Sequence, residues 1–259
     1  MRIRNTISSL LVACLLAFTG CSGLNPTIKS LDELKTSTIA VPTGTIADQL
    51  VLSQLPDVKF IYFDTVAECC TAVQNGDADA AAYDEPVLRN LSAKMSGLTL
   101  LSEMITNDDY GIAVSKDRAD LKADIDDAIA ELKTDGTYDE MLSRWLPEAG
   151  DPGPMPSIDL NGTNGTLKLA TSAVVEPFTY VADDDTIIGF DIELASRICL
   201  KLGMKLEIVN MDFAEMLPAV AAGQVDIAGA CITISEERSE TVLFSEPYYQ
   251  GGIAAVVRK

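Results

Sequence analysis

The sequence predicts an α/β protein of two lobes built on mainly parallel sheets, and three observations predict it. Short runs of β-branched and apolar residues alternate with helical patterns along most of the 259 residues, the order expected of βαβ units. Two such assemblies share one rhythm of strand, helix, strand and helix. One closes in Asn75-Gly76-Asp77-Ala78-Asp79 and the other in Gly223-Gln224-Val225-Asp226, each leading into a further strand. Between them residues 147–166 read PEAGDPGPMPSIDLNGTNGT, whose Pro, Gly and Asn content is that of a linker.

The elements follow in order. Strands are expected at 38–41, 59–63, 78–83, 98–102 and 111–115, then at 167–171, 205–209, 226–230 and 252–257. Helices are expected at 46–54, 67–74 and 86–95, then at 190–202 and 213–222. Residues 116–146 read as helical throughout. Leu121, Ile125, Ile129 and Leu132 recur at four- and three-residue steps, Gly136 breaks the pattern, and a second short helix runs to Trp145 and Leu146.

The opening residues set an expected compartment. Arg2 and Arg4 precede an apolar run at 7–18 that ends in small residues. That run is shorter than the roughly 20 residues a membrane-spanning helix needs, so it reads as a secretory signal peptide of residues 1–20. Phe18-Thr19-Gly20-Cys21 resembles a lipoprotein cleavage box with Cys21 as the acylated residue; an ordinary signal peptide holding a cysteine is the plainer alternative. Loss of Arg2 and Arg4 leaves 17 basic residues beside 39 acidic ones, a net charge of −22. Such a surface argues against nucleic acid and against electrostatic attachment to anionic lipid. Beyond the leader, the cysteines Cys69, Cys70, Cys199 and Cys231 show no zinc-site spacing and the chain has no histidine, so no metal is expected and the thiols read as small buried groups.

One half of the chain carries a specific set of motifs. They are Leu169-Ala170-Thr171, Pro177-Phe178, Gly189-Phe190-Asp191-Ile192-Glu193-Leu194-Ala195 and Met211-Asp212-Phe213, followed by Thr233-Ile234-Ser235-Glu236-Glu237-Arg238 and Phe244-Ser245-Glu246-Pro247-Tyr248-Tyr249. Residues 165–259 thereby resemble the first half of the bacterial polar-amino-acid-binding proteins of ABC transporters, family 3, which have the periplasmic-binding-protein type II fold. Leu31-Asp32-Glu33-Leu34, Ile39-Ala40-Val41-Pro42-Thr43-Gly44-Thr45, Gly76-Asp77-Ala78-Asp79-Ala80, Tyr83-Asp84-Glu85-Pro86, Tyr110-Gly111-Ile112-Ala113-Val114 and Leu132-Lys133-Thr134-Asp135-Gly136-Thr137-Tyr138 with Trp145 resemble its second half. The halves are in swapped order. The resemblance implies a circularly permuted two-lobed protein, with a fragment spanning two tandem copies as the rival account. On this reading residues 21–30 are a lipid-anchored tether and 31–107 one lobe. Residues 108–146 are a return strand and helices packing on the other lobe, 147–165 the joint, and 166–259 that other lobe. A single covalent crossing between lobes, near 106–110, is expected.

The resemblance also implies a site for a free amino acid. Arg238 is its carboxylate clamp, since a guanidinium meets both carboxylate oxygens; the plainer alternative is a surface arginine beside Glu236 and Glu237. Thr233 offers a hydroxyl or backbone donor and Cys231 its backbone N–H. Asp84 takes the ammonium, with helix capping as its alternative, and both Asp84 and Arg238 fall near strand ends, where open α/β sheets bind ligands. Gly44, Thr45 and Ile46 form a turn at a helix start whose N–H groups favour an anion. Phe213 is an aromatic wall. Ser172, Val175 and Glu176 border the side-chain pocket and depart from relatives, Glu176 being either an inward carboxylate or an exposed loop residue. The implied protein is an extracytoplasmic lipoprotein without cofactor or metal. It is expected to be monomeric, to close on its ligand and to serve an ABC permease. An enzyme acting on arogenate or prephenate, or an amino-acid-sensing module, are the alternatives of other classes.

Overall fold

A computed structural model describes residues 27–147 and 151–259. The expected signal peptide and the Cys21 acylation point lie outside the described residues. A 3-10 turn at Leu31–Leu34 leads into an amino-terminal lobe of β1 (Thr38–Pro42), α1 (Ala47–Gln54), β2 (Lys59–Phe63), α2 (Val66–Asn75), β3 (Ala80–Asp84), α3 (Glu85–Lys94) and β4 (Leu98–Leu100). The chain crosses through β5 (Asp108–Tyr110) to β6 (Ala113–Val114), α4 (Ala119–Thr134) and α5 (Thr137–Trp145). The carboxy-terminal lobe continues with β7 (Thr166–Thr171), β8 (Val174–Val175), β9 (Thr179–Val181), β10 (Ile187–Ile188), α6 (Phe190–Leu202), β11 (Lys205–Asn210), α7 (Phe213–Ala221), β12 (Ile227–Ala228), α8 (Glu236–Ser239) and β13 (Leu243–Phe244). Last come β14 (Tyr249–Gly251) and β15 (Ile253–Arg258).

Local chemistry explains the clearest of these elements. Thr65 and Glu68 form a reciprocal capping box at the start of α2, and Gly76 ends that helix in the left-handed conformation, φ +85°. In α4, Leu121, Ile125, Ala128, Ile129 and Leu132 make one buried face. Gly136, also left-handed, separates α4 from α5. The helices α5 and α6 are tied through Glu193, which is fully buried. It accepts from the Trp145 indole at 2.7 Å and pairs with Arg144 at 2.8 Å and Arg197 at 2.7 Å.

Each lobe is centred on a five-stranded sheet, in the orders β2-β1-β3-β15-β4 and β11-β7-β12-β6-β13. In both, four strands run one way and one runs against them. The reversed strand is β15 in the first and β6 in the second, each the strand that follows a crossing segment. The crossings β5 and β14 pair antiparallel, Tyr249 opposite Tyr110 and Gly251 opposite Asp108. A small antiparallel sheet, β10-β9-β8, which no local pattern announced, flanks the second lobe. The four cysteines among the described residues are free and buried.

The expectation of a single crossing is corrected. Residues 253–258 do not belong with 166–251: β15 inserts between β3 and β4 of the amino-terminal lobe, with Ile253 opposite Asp84 and Val257 opposite Ala80. Five of its six residues are buried, so without β15 the apolar edges of β3 and β4 would face water. Gly252 makes the second crossing possible. Its φ is +144°, and a Cβ there would lie 2.1 Å from the Thr106 carbonyl oxygen on the other crossing.

Candidate functional site

The site forms where the carboxyl ends of β1 and β3 face the loops of the carboxy-terminal lobe. Asp84, the last residue of β3, is only 5% exposed. It stands at the start of α3 but its side chain makes no cap there. Instead Oδ1 accepts the hydroxyl of Tyr110, on the first crossing, and Oδ2 lies 3.5 Å from the Cys231 thiol. Burial pushes the Asp84 carboxyl up to about 6, against the lowering effects of the Tyr110 and Cys231 hydrogen bonds and the Arg238 charge.

Arg238 approaches from the other lobe on α8, whose start is capped by the Ser235 hydroxyl accepting from the Arg238 N–H at 3.2 Å. Its guanidinium donates to the Thr233 carbonyl at 2.9 Å and lies 5.6 Å over the Phe213 ring. Among the described residues it forms no ion pair with Glu236 or Glu237, and it is half-buried where they are exposed. Burial draws its ionisation down from the usual value while Asp84, Tyr83 and Cys231 oppose that. Asp84, Arg238, Thr233, Cys231, Phe213, Thr45 and Ile46 enclose one small space of about 10 Å³, no more than a single water needs. Entry of a ligand therefore requires the lobes to part or Arg238 to leave the Thr233 carbonyl.

The turn at Gly44 closes this space from the amino-terminal lobe. Gly44 has φ +75°, and a Cβ on it would come within 3.3 Å of Ala214 across the cleft. The Thr45 hydroxyl donates to the Pro42 carbonyl at 3.0 Å, which fixes the turn. The backbone N–H groups of Gly44, Thr45 and Ile46 have no protein acceptor among the described residues.

Beyond Tyr83, Phe213 and Thr45 the cleft widens into a second cavity of about 750 Å³ lined by both lobes. Ser172 and Val175 lie in its wall. Two expectations are corrected. Glu176 does not enter this cavity: its carboxylate meets Lys94 of α3 at 2.6 Å, making an ion pair between lobes. The Cys231 N–H is not free for a ligand, because it donates to Asp191 Oδ2 at 2.7 Å.

Two residues of this region were not among those expected. Tyr110 joins the first crossing to Asp84 and also pairs through its backbone with Thr233. Asp191, fully buried in the first turn of α6, holds Cys231, whose φ is +43°. Burial raises the Asp191 carboxyl to about 7, opposed by the Cys231 N–H and the nearby Tyr248 hydroxyl. Yet Asp191 Oδ1 and that hydroxyl both lack a hydrogen-bond partner of good geometry. The sequence signals for Asp191 were its place in the motif Gly189–Ala195 and its being a charged residue amid the apolar start of a helix.

Residues 167–259 match the family described as bacterial extracellular solute-binding proteins, family 3. That match spans 93 of the 259 residues. It is similar to the ABC transporter glutamine-binding protein GlnH of Bacillus subtilis (strain 168), 30% identical over 122 residues, which are 47% of this chain and 45% of that protein. It is 38% identical over 93 residues to the arginine-binding extracellular protein ArtP of the same organism, 36% of each chain. Among solved structures, the arginine-bound form of domain 1 from TmArgBP is 38% identical, with 40% of this chain and 87% of that one covered and a TM-score of 0.33. The chain thus spans less than half the length of these two curated relatives. Both curated relatives are amino-acid-binding proteins by name.

Proposed function

We propose that this chain captures a free amino acid between its lobes and delivers it to an ABC importer, held at the outer face of a membrane by an acylated Cys21. The observation that carries this reading is the opposition of Arg238 and Asp84. They are oppositely charged groups from different lobes, Asp84 buried and Arg238 half-buried, with no ion pair between them, bordering one shared space. An amino acid presents a carboxylate and an ammonium about one residue apart, and so offers each of them a partner. The free N–H groups of the Gly44 turn supply further donors to the carboxylate. A ligand that meets both lobes favours their approach only by binding the closed arrangement better than the open one. The closed arrangement is then what a permease distinguishes.

The test is a thermal-shift screen of the full chain against the common amino acids, followed by calorimetry on any that stabilise it. Arg238→Ala is expected to abolish binding while the variant keeps its circular dichroism. Unchanged affinity in that variant would remove Arg238 from the site.

We infer further that the swapped halves are a circular permutation within one two-lobed unit. What supports this is β15: it lies within the family-matched residues 167–259, yet completes a sheet whose other strands come from residues 38–100. One monomeric species that binds one ligand is the expected result of light scattering with calorimetry. A dimer exchanging halves would favour the tandem-fragment account.

A further inference from the structure

Arg238 is set by the loop that runs from Cys231 to Ser235. The Thr233 carbonyl accepts its guanidinium at 2.9 Å, the Thr233 backbone bridges to Tyr110 on the first crossing, and the Ser235 hydroxyl caps α8. The loop begins at Cys231, whose φ of +43° lies in the left-handed region that disfavours an L side chain. Such a conformation persists only where its surroundings hold it. The hold comes from Asp191, whose Oδ2 accepts the Cys231 N–H at 2.7 Å.

Asp191 is fully buried, and no cation pairs with it among the described residues. A carboxylate taken out of water without a counter-ion is destabilising, and its place in the first turn of α6 offsets only part of that. Its Oδ1 has no hydrogen-bond partner of good geometry, and neither has the buried Tyr248 hydroxyl beside it. Tyr248 leads into β14, the second crossing, and its N–H donates to the Tyr110 carbonyl at 3.0 Å. Asp191 thus sits between α6, the loop that orients Arg238 and the residue before the second crossing.

We propose that Asp191 is a positioning residue for the ligand clamp: it keeps Cys231 left-handed, and thereby aims the Thr233 carbonyl at Arg238 and the Cys231 thiol at Asp84. This rests on the amino-acid reading above and adds to it a buried residue that touches no ligand. Without the acceptor, Cys231 relaxes toward an ordinary backbone conformation. The Thr233 carbonyl then moves off the guanidinium, and the thiol leaves Asp84 Oδ2, from which it lies 3.5 Å in the parent chain.

The test compares Asp191→Asn, whose amide oxygen still accepts the Cys231 N–H, with Asp191→Ala, which offers no acceptor. Calorimetry on the full chain with the common amino acids, glutamine and arginine first, gives the affinities. Asp191→Ala is expected to lose at least about tenfold, and Asp191→Asn to recover most of that. Iodoacetamide labelling without ligand, read cysteine by cysteine by peptide mass spectrometry, follows the loop itself. Cys231 should label faster in Asp191→Ala than in the parent, while Cys69, Cys70 and Cys199, buried in α2 and α6, stay slow. A variant that was only less stable would expose all four together. That joint labelling, or unchanged affinity and labelling in Asp191→Ala, overturns the inference and leaves the amino-acid reading standing. So does an Asn variant as impaired as the Ala one. Failure of the parent to bind any common amino acid overturns both.

Discussion

The Tyr110 hydroxyl donates to Asp84, so the segment that crosses between the lobes is hydrogen-bonded to the carboxylate that faces the ligand space. The group proposed to hold the ammonium is thus positioned by a residue on the connection between the lobes.

Binding should depend on pH through this pair. Asp84 must be ionised to hold an ammonium, and burial places it at about 6. Affinity is therefore expected to fall as pH drops through about 6. Tyr110→Phe removes a hydrogen bond that lowers the Asp84 carboxyl, so it moves that fall to higher pH and weakens binding near neutrality by roughly tenfold. Calorimetric titrations of both proteins across the acid-to-neutral range check this. Superimposable pH profiles would show that Tyr110 does not set Asp84.

Stability should carry the opposite dependence from that of an ordinary ion-paired carboxylate. The carboxyls of Asp84 and Asp191 are held at about 6 and about 7, above the ordinary 3.8. The folded state therefore keeps protons that the unfolded chain has released. The associated stability is full below about pH 4 and is lost as pH rises through 6 and 7. Urea midpoints of the ligand-free protein should fall over that interval, and Asp191→Asn should flatten its upper part. A midpoint that climbs with pH in both proteins contradicts the assignment.

The Lys94–Glu176 pair joins the lobes at 2.6 Å while both side chains remain partly exposed. Such a pair contributes about 0–1 kcal/mol, too little to decide folding but enough to bias a balance between lobe arrangements. Glu176→Gln should leave the melting temperature nearly unchanged and raise the radius of gyration of the ligand-free protein in small-angle scattering. High salt should reproduce this in the parent chain. An unaltered radius in both cases would mean that the pair follows closure without favouring it.

What the sequence made legible was local. The α4 face from Leu121 to Leu132 repeats at helical steps, and the turns at Gly76 and Gly136 need a left-handed residue, so both could be read without partners. Arg238 and Asp84 could be placed by their motifs, and both border the expected space. The failures were relational. The apolar run 253–257 suits either sheet, because a strand buried on both faces carries no pattern naming its neighbours. Glu176 read equally as an inward carboxylate or an exposed loop residue, and the choice lay with Lys94, distant in sequence, which takes it outward. The Cys231 N–H looked free because its acceptor, Asp191, is 40 residues away.

Glu193 offers the severest test of how the second lobe is held. It is fully buried on α6, yet two arginines and the Trp145 indole converge on it, so its charge is compensated on every side the structure describes. Two of these partners, Arg144 and Trp145, lie in α5, on the far side of the linker from α6. Glu193→Gln keeps the shape but removes the charge, leaving Arg144 and Arg197 beside each other with no counter-ion. Breaking a buried pair in this way costs about 3–5 kcal/mol, which should appear as a large loss in the urea midpoint. Cutting the chain within 151–165 should then release the α5 segment from the variant but not from the parent, as read by size-exclusion chromatography after proteolysis. Equal retention in both would place the hold on that segment in the exchanged strands β6 and β15 and in apolar packing such as Tyr138 against Phe190, rather than in Glu193.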